Sequence, residues 1–278
     1  MKSKKNKIVL ITGCSSGIGY RTAHVLKNTG HRVIASARKK SDVLKLEAEG
    51  FETLQLDLNN SESIQHAVTL LIKLTDGKLD ALFNNAAYGQ PGAVEDLSRD
   101  VLIQQFQTNF FGTHELTNLI LPIMRQQGYG RIIYNSSILG LVALKYRGAY
   151  NASKYAIEGL ADTLRLELRE TKIYISLIEP GPIQSNFRKN SFLMYQTNIN
   201  SKISFHKEAY LEIEKRLKKE GDAVPFTLPA DAVAKKVLHA LESTKPKARY
   251  YVTFPTYLFG YLKRILPTTW LDYLLIKI

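Results

Sequence analysis

Tyr150-Asn-Ala-Ser-Lys154 sets a phenol and an amine four residues apart, and Ser137 precedes the tyrosine by thirteen residues. On a helix, side chains at i and i+4 share a face. A phenol is a poor acid at neutral pH, its unperturbed pKa being about 10. An ammonium beside it favours the phenolate and eases proton release. Such a pair can give a proton to a carbonyl while a nicotinamide gives it hydride, and a second hydroxyl such as Ser137 can hold that carbonyl. The run TGCSSGIG at 12–19 adds a glycine-rich turn of the kind that admits phosphate.

Spacing alone is a weak signal in a chain with 15 tyrosines. A second pair, Tyr273 and Lys277, has Gly260 thirteen residues upstream and no hydroxyl there. The first pair has better support. Ile157, Leu160, Ala161, Leu164 and Leu168 form an i, i+3, i+4, i+7 stripe, and Tyr150 and Lys154 extend it toward the helix N-terminus.

These residues need a scaffold, and the chain alternates strand-like and helix-like segments. Apolar runs at 7–12, 32–37, 53–58, 79–84, 131–137, 173–178 and 249–254 predict about seven strands. Helical patterns fall near 41–49, at 61–75, over a long stretch from about 98 to 126, and after Tyr150. Near-continuous Val/Ile/Leu strands with helices between them argue an α/β fold, a doubly wound parallel sheet covered on both faces. From Glu179 to about Phe226 the rhythm breaks down, and the segment 179–228 reads as a substrate-binding loop region. A last regular helix follows Pro229, and 255–278 reads as a helical C-terminal extension. One domain over 1–278 is the simplest division.

Gly13, Gly17 and Gly19 follow the first strand and open a helix, where glycines let the backbone approach a pyrophosphate and the helix N-terminus favours its charge. Ser15, Ser16 and Ile18 complete this loop, the serines adding hydroxyl donors. The second strand ends Ala37-Arg38-Lys39-Lys40, with no acid until Asp42. An acid there would accept the ribose hydroxyls of NAD; Arg38 instead suits a 2′-phosphate, which points to NADP(H).

Composition sets outer bounds. Of 278 residues, 45% are hydrophobic and 23% charged, ordinary for a soluble globular chain. The single Cys14 cannot form an internal disulfide and reads as a small buried filler. The basic start MKSKKNK reads as a charged tail entering a strand, since IVLI is too short for a secretory signal. No apolar run is long enough to span a membrane. Net charge is 38 − 25 = +13, but the cations are scattered, without a basic helix, zinc-ligand spacing or an RNA-binding signature, so nucleic acid is not expected as a partner. The last thirty residues, dense in aromatics with Lys263, Arg264 and Lys277, read first as an extension packed on the domain or a sister subunit. Their second reading is peripheral membrane contact. A cytoplasmic homodimer or homotetramer is expected, with membrane association as the variant.

With these residues together, the chain from about Lys7 to Thr253 resembles the short-chain dehydrogenase/reductase family. The resemblance implies that TGCSSGIG is the glycine loop, that Asp57 contacts adenine with Leu58 beside it, and that Asn84-Asn85-Ala86 is the family's strand end. Asn109, Ser137, Tyr150 and Lys154 then form its catalytic tetrad. Pro180, Gly181, Ile183 and Ser185 correspond to the segment beside the nicotinamide, with Ser185 where Thr is usual. The implied roles are carbonyl binding by Ser137, proton donation by Tyr150, and ribose binding and tuning of Tyr150 by Lys154. Asn109 would hold a water that links Lys154 to solvent. Ala87 replaces the family's Gly, which implies a restricted backbone and weaker cofactor binding. The glycine loop and IEPGPI resemble hydroxysteroid and retinol dehydrogenases, and KPKARYYVT and LKRILP resemble bacterial NADP-dependent aldehyde reductases.

Leu139, Leu141, Val142 and Leu144 after Ser137, with Phe187, Phe192, Leu193, Met194 and Tyr195, suggest an apolar pocket for a hydrophobic aldehyde, ketone or matching alcohol. No metal is called for. Two rival readings are a cofactor-sensing regulator that kept the fold without the chemistry, and a membrane-surface protein organised by its C-terminal aromatics.

Overall fold

Short apolar strands buried on both sides need partners on both sides, and the chain supplies them. The computed structural model describes residues 6–278; most of the basic start, residues 1–5, lies outside the described residues. Seven strands form one sheet: β1 (Ile8–Ile11), β2 (Arg32–Ala37), β3 (Glu52–Gln55), β4 (Ala81–Asn84), β5 (Gly130–Asn135), β6 (Ile173–Glu179) and β7 (Arg249–Tyr251). Their order is β3-β2-β1-β4-β5-β6-β7 and every pairing is parallel. The order reverses between β1 and β4, and in such sheets ligands bind off the strand carboxyl ends at that point.

Alternate strand residues serve opposite faces. Leu10, Leu82 and Ile132 join Ile64 and Leu71 of α3 (Ser61–Thr75), Leu116, Ile120 and Met124 of α5 (Gly112–Gln127), and Ile157 and Ala161 of α6 (Gly148–Glu167). Val9, Ile11, Phe83 and Ile133 face the other way. They meet Ala23 and Leu26 of α1 (Gly17–Asn28), Val43 and Leu46 of α2 (Lys40–Ala48), and Val233 and Val237 of α9 (Asp231–Glu242). These are the two helical layers of the expected doubly wound fold.

The long helical stretch is broken into α4 (Arg99–Phe106), a π-helical turn over Gln107–Phe111, and α5. The segment 179–228 departs further from expectation. It holds α7 (Phe187–Asn198) and α8 (Lys207–Lys218), which pack through Tyr195, Tyr210 and Leu217 onto Ala93, Val101 and Ala149. Pro180 and Pro182 interrupt the chain only at the strand end, and the helices form because each has a buried face to fill. The C-terminal extension is helical as expected, with α10 (Phe254–Ile265) and α11 (Thr268–Leu275). Phe259, Leu271 and Leu275 pack there on Val142, with Ile138 and Leu144 at the edge. Val142 and Leu144 thus serve the extension, a correction to their assignment to an apolar pocket.

Candidate active site

Gly13 and Gly17 sit in left-handed conformations, with φ of +71° and +60°, which glycine adopts without strain. At Gly19 a Cβ would come 2.3 Å from the Gly13 carbonyl oxygen, so the loop can close on itself only as glycine. Ser16 caps α1 without a side-chain hydrogen bond, leaving the first helical N–H groups to point at an incoming anion. Ser15 is exposed, and Ile18 packs partly against the core beneath. Cys14 is fully buried and its thiol is pushed up to about 12 by burial, which fits the filler role.

The end of β4 is pinned to this loop. Thr12 Oγ1 accepts the N–H groups of Asn85 and Ala86, each at 2.9 Å. Asn85 Nδ2 donates to the carbonyls of Thr12 and Gly13, and its Oδ1 accepts from Asn135. Asn84 donates to Thr117 while its Oδ1 is buried with no hydrogen-bond partner. Ala87 is not among the residues with positive φ, so its methyl adds no left-handed strain and the expected backbone restriction falls away. Asp57 lies at the mouth of the same edge, its Oδ1 accepting from Asn59 N–H, and the Leu58 carbonyl abuts Gly112 so closely that a Cβ there would sit 1.9 Å away. Ser185 lies against the glycine loop from the far side, its Cβ 3.0 Å from where a Gly17 Cβ would stand. Ile183 bridges to Leu228, and Gly181 passes so near Thr253 Oγ1 that a Cβ would come to 2.1 Å. Arg38 is exposed directly beyond β2, Gln55 bonds its carbonyl at 3.1 Å, and among the described residues no salt bridge engages its side chain.

The four tetrad positions meet at this strand edge, all buried. Ser137 Oγ accepts the Leu139 N–H at 3.1 Å and reaches the Pro180 carbonyl at 3.5 Å. Phe187 lays its ring edge-on against Tyr150, centroids 5.2 Å apart, with Gly89 behind it. Phe187 thus lies against the phenol, and Leu139 is placed by its N–H on the Ser137 hydroxyl. Phe192 and Tyr195 instead stack on each other within the α7–α8 cluster, and Leu193 is exposed. Two surface cavities of about 530 and 510 Å³ lie on α8 and around α9, and neither is lined by a residue of this site.

The electrostatics differ from the sequence-based expectation. Burial raises the Tyr150 pKa, and a hydrogen bond with Ser137 pulls it back. Lys154 Nζ stands 5.5 Å from the Tyr150 ring centroid and donates to the Asn135 carbonyl at 2.7 Å. Burial itself pushes Lys154 down to about 8, opposed by the charge of Glu158. The expected lowering of the Tyr150 pKa by Lys154 is thus not the governing effect. Desolvation outweighs it, and Ser137 supplies the relief. Asn109 sits in the π turn, where its amide clasps Tyr88 through both N–H (3.1 Å) and C=O (3.0 Å) and donates to Ser153 at 3.0 Å. Its side chain is therefore committed to the Tyr88 segment and to α6. The expected water would have to use its main chain.

A network that the motifs did not announce lies one turn below Lys154. Glu158 accepts from Ser136 Oγ and from Arg249, and Arg249 also binds Glu179 and Asp162, each at 2.6 Å. Glu179 is fully buried with one oxygen unpartnered, and burial followed by the Glu158 charge raises it to about 8. Three carboxylates on one guanidinium leave an excess of negative charge, which favours the protonated form of Glu179. Helical spacing from Lys154 to Glu158 was the only trace of this cluster in the sequence.

A family model described as short chain dehydrogenase matches residues 7–196. The oxidoreductase YbbO of Escherichia coli is 45% identical over 269 residues, covering 97% of this chain and 94% of YbbO. Human 17-beta-hydroxysteroid dehydrogenase type 1 is 33% identical over 268 residues, covering 88% of this chain and 77% of its own. The crystal structure of a short-chain dehydrogenase from Streptomyces avermitilis superposes with a TM-score of 0.75 at 25% identity, covering 99% of this chain and 95% of that one.

Proposed function

Since the chain belongs to the short-chain dehydrogenase family and is an oxidoreductase of that family, we propose that it reduces a hydrophobic aldehyde or ketone, or oxidises the matching alcohol, with NADP(H) as cofactor. The observation that carries this reading is the buried Ser137–Tyr150–Lys154 cluster opening beside a glycine loop too tight for any Cβ at Gly19. The residues fit a dinucleotide: an uncapped helix N-terminus for the pyrophosphate, Asp57 and Leu58 for the adenine side, and Ser185 across from Gly17, two residues after Ile183. When bound, a nicotinamide dinucleotide supplies or accepts the hydride.

Ser137 orients the substrate oxygen and hydrogen-bonds to Tyr150, which makes proton release from that buried phenol less costly. Tyr150 Oη gives its proton to the carbonyl oxygen in reduction and takes it back in oxidation. Lys154, held by the Asn135 carbonyl, supplies positive charge beside the phenolate as it forms. Asn109 fixes Tyr88 and α6 against each other, which holds that geometry. Phe187 against the phenol, with Leu139 next to Ser137, favours a hydrophobic substrate. The preference for NADP(H) is supported by exposed Arg38 after Ala37, which has no salt bridge among the described residues, and by the lack of an acid there. The hydroxysteroid dehydrogenase relative is in keeping with an apolar substrate. Cofactor oxidation should be followed with a panel of aliphatic and aromatic aldehydes, ketones and steroids, using NADPH and NADH in parallel. No turnover on any of them, with cofactor binding intact, would favour a sensor that kept the fold.

A further inference from the structure

The outward side of the C-terminal helix pair is apolar and exposed, with the rings of Tyr251 and Phe226 in contact along its edge. Along α10, Phe254, Tyr257, Tyr261 and Ile265 follow one another at i, i+3, i+7 and i+11, and all are exposed. On α11, Trp270 and Tyr273 do the same, opposite the buried Leu271 and Leu275. The inner faces are already spent on Val142. Phe226 adds to this side. It holds a left-handed backbone at φ 60°, a conformation unfavourable for a bulky residue, and keeps a largely exposed ring 5.0 Å from that of Phe254. A contiguous exposed apolar face of this kind marks an interaction surface.

Charge selects the occupant. Residues 254–278 contain Lys263, Arg264 and Lys277 against the single acid Asp272, within a chain of net charge +13. Lys263 is engaged with Tyr155, and the rim charges are Arg264 and Lys277, the latter 3.9 Å from the Tyr273 ring centroid. A second copy of so basic a face would bring like charges together, whereas an anionic lipid surface attracts them. Trp and Tyr beside Lys and Arg are also the residues that settle at the headgroup level of a bilayer. No helix among the described residues is long and apolar enough to cross a membrane, so the pair would lie in the interface. We infer that α10 and α11 form a docking surface for an anionic lipid bilayer. The inference is independent of the reaction proposed above. It does place the bilayer against the segment that follows Ser137, since the same pair packs on Ile138, Val142 and Leu144.

Trp270 is the only tryptophan in the chain, so its emission reports directly on this face. The wild-type protein should be mixed with vesicles of phosphatidylglycerol and phosphatidylcholine, and separately with phosphatidylcholine alone. A blue shift, quenching by brominated acyl chains and co-flotation are expected with the anionic vesicles and should fade as salt rises. Replacing both rim cations (Arg264→Gln with Lys277→Gln) should weaken partitioning roughly thirtyfold, about fivefold per charge. NADPH binding and far-UV circular dichroism should stay unchanged. Absence of partitioning to anionic vesicles, or equal partitioning to both kinds, overturns the inference. So does a blue shift that grows with protein concentration in the absence of lipid, accompanied by a doubling of mass that Tyr261→Ser abolishes. That result would assign the face to a second copy of the chain.

Discussion

Replacing two adjacent serines by alanine should separate catalysis from stability. Ser137 faces Tyr150 and is the hydrogen-bonding partner that offsets the burial of that phenol. Its other contacts are weak, a 3.5 Å approach to the Pro180 carbonyl and a local bond from Leu139 N–H. Ser136 turns the other way and donates to buried Glu158. Ser137→Ala removes a donor aimed at the substrate oxygen, a loss worth roughly 10²–10³ in kcat, with melting little changed. Ser136→Ala takes a partner from a buried carboxylate. Hydrogen bonds to charged groups are worth roughly 1.5–3 kcal/mol, and a chain of this size loses roughly 2–4 °C per kcal/mol, so melting should fall by about 3–12 °C. Its kcat should stay within a few-fold of wild type at low temperature, because Arg249 still holds Glu158. Steady-state kinetics and differential scanning calorimetry on both variants provide the comparison. A Ser136→Ala variant that melts like wild type but loses the rate, beside an active Ser137→Ala, would refute the division of labour.

Tyr150→Phe should lower kcat roughly 10²–10⁴-fold, the span of a general acid, while a fluorescence titration finds NADPH affinity nearly unchanged. Arg38→Ala should cost about one to two decades of NADPH affinity, since hydrogen bonds to a charged group are worth roughly 1.5–3 kcal/mol, and should leave NADH binding unmoved; equal losses for both would show that Arg38 only supports the fold. Lys154 has its pKa lowered to about 8, so its ammonium is present below that pH and is lost as pH rises through it. The kcat/KM profile for reduction should accordingly fall above about pH 8, and Glu158→Gln, which removes the charge that raises Lys154, should move that limb to lower pH. A limb that stays in place in the variant would separate Glu158 from the tuning of Lys154.

Local pattern carried most of the scaffold. Helix 61–75 was readable because Asn60 caps it through Ser63 N–H and its apolar face repeats cleanly. All seven strands were visible as short apolar runs, and the glycine loop by its spacing. What escaped depends on contacts between distant segments. The helices α7 and α8 were taken for loop because Pro180 and Pro182 mask the start of a segment whose helical faces are defined only by Ala93 and Val101. The π turn leaves no spacing signal, since it is fixed by the Tyr88 backbone. Arg249 meets Glu158, Asp162 and Glu179 from 70 or more residues away. The pKa of Tyr150 followed its burial, which the motif does not encode, and the placement of Val142 waited on the C-terminal helices.

The π turn also limits which lengths of this chain can work. On its upstream side, Gln105 is fully buried, accepting from Gln90 N–H at 2.8 Å and donating to the Tyr88 carbonyl at 2.9 Å. On its downstream side, Gly112 is wedged against the Leu58 carbonyl, and Leu116 and Ile120 enter the core. Removing one residue between them would let an unbroken α-helix form, with better-satisfied backbone bonds. Each residue of such a helix turns about 100°, so one end would rotate out of register: either Asn109 would leave Tyr88 or Leu116 and Ile120 would leave the core. The helix is therefore intolerant of insertion and deletion at a place where its surface residues accept ordinary substitution. In lineages descended from this chain, its length from Gln105 to Gly112 should be more constant than its sequence.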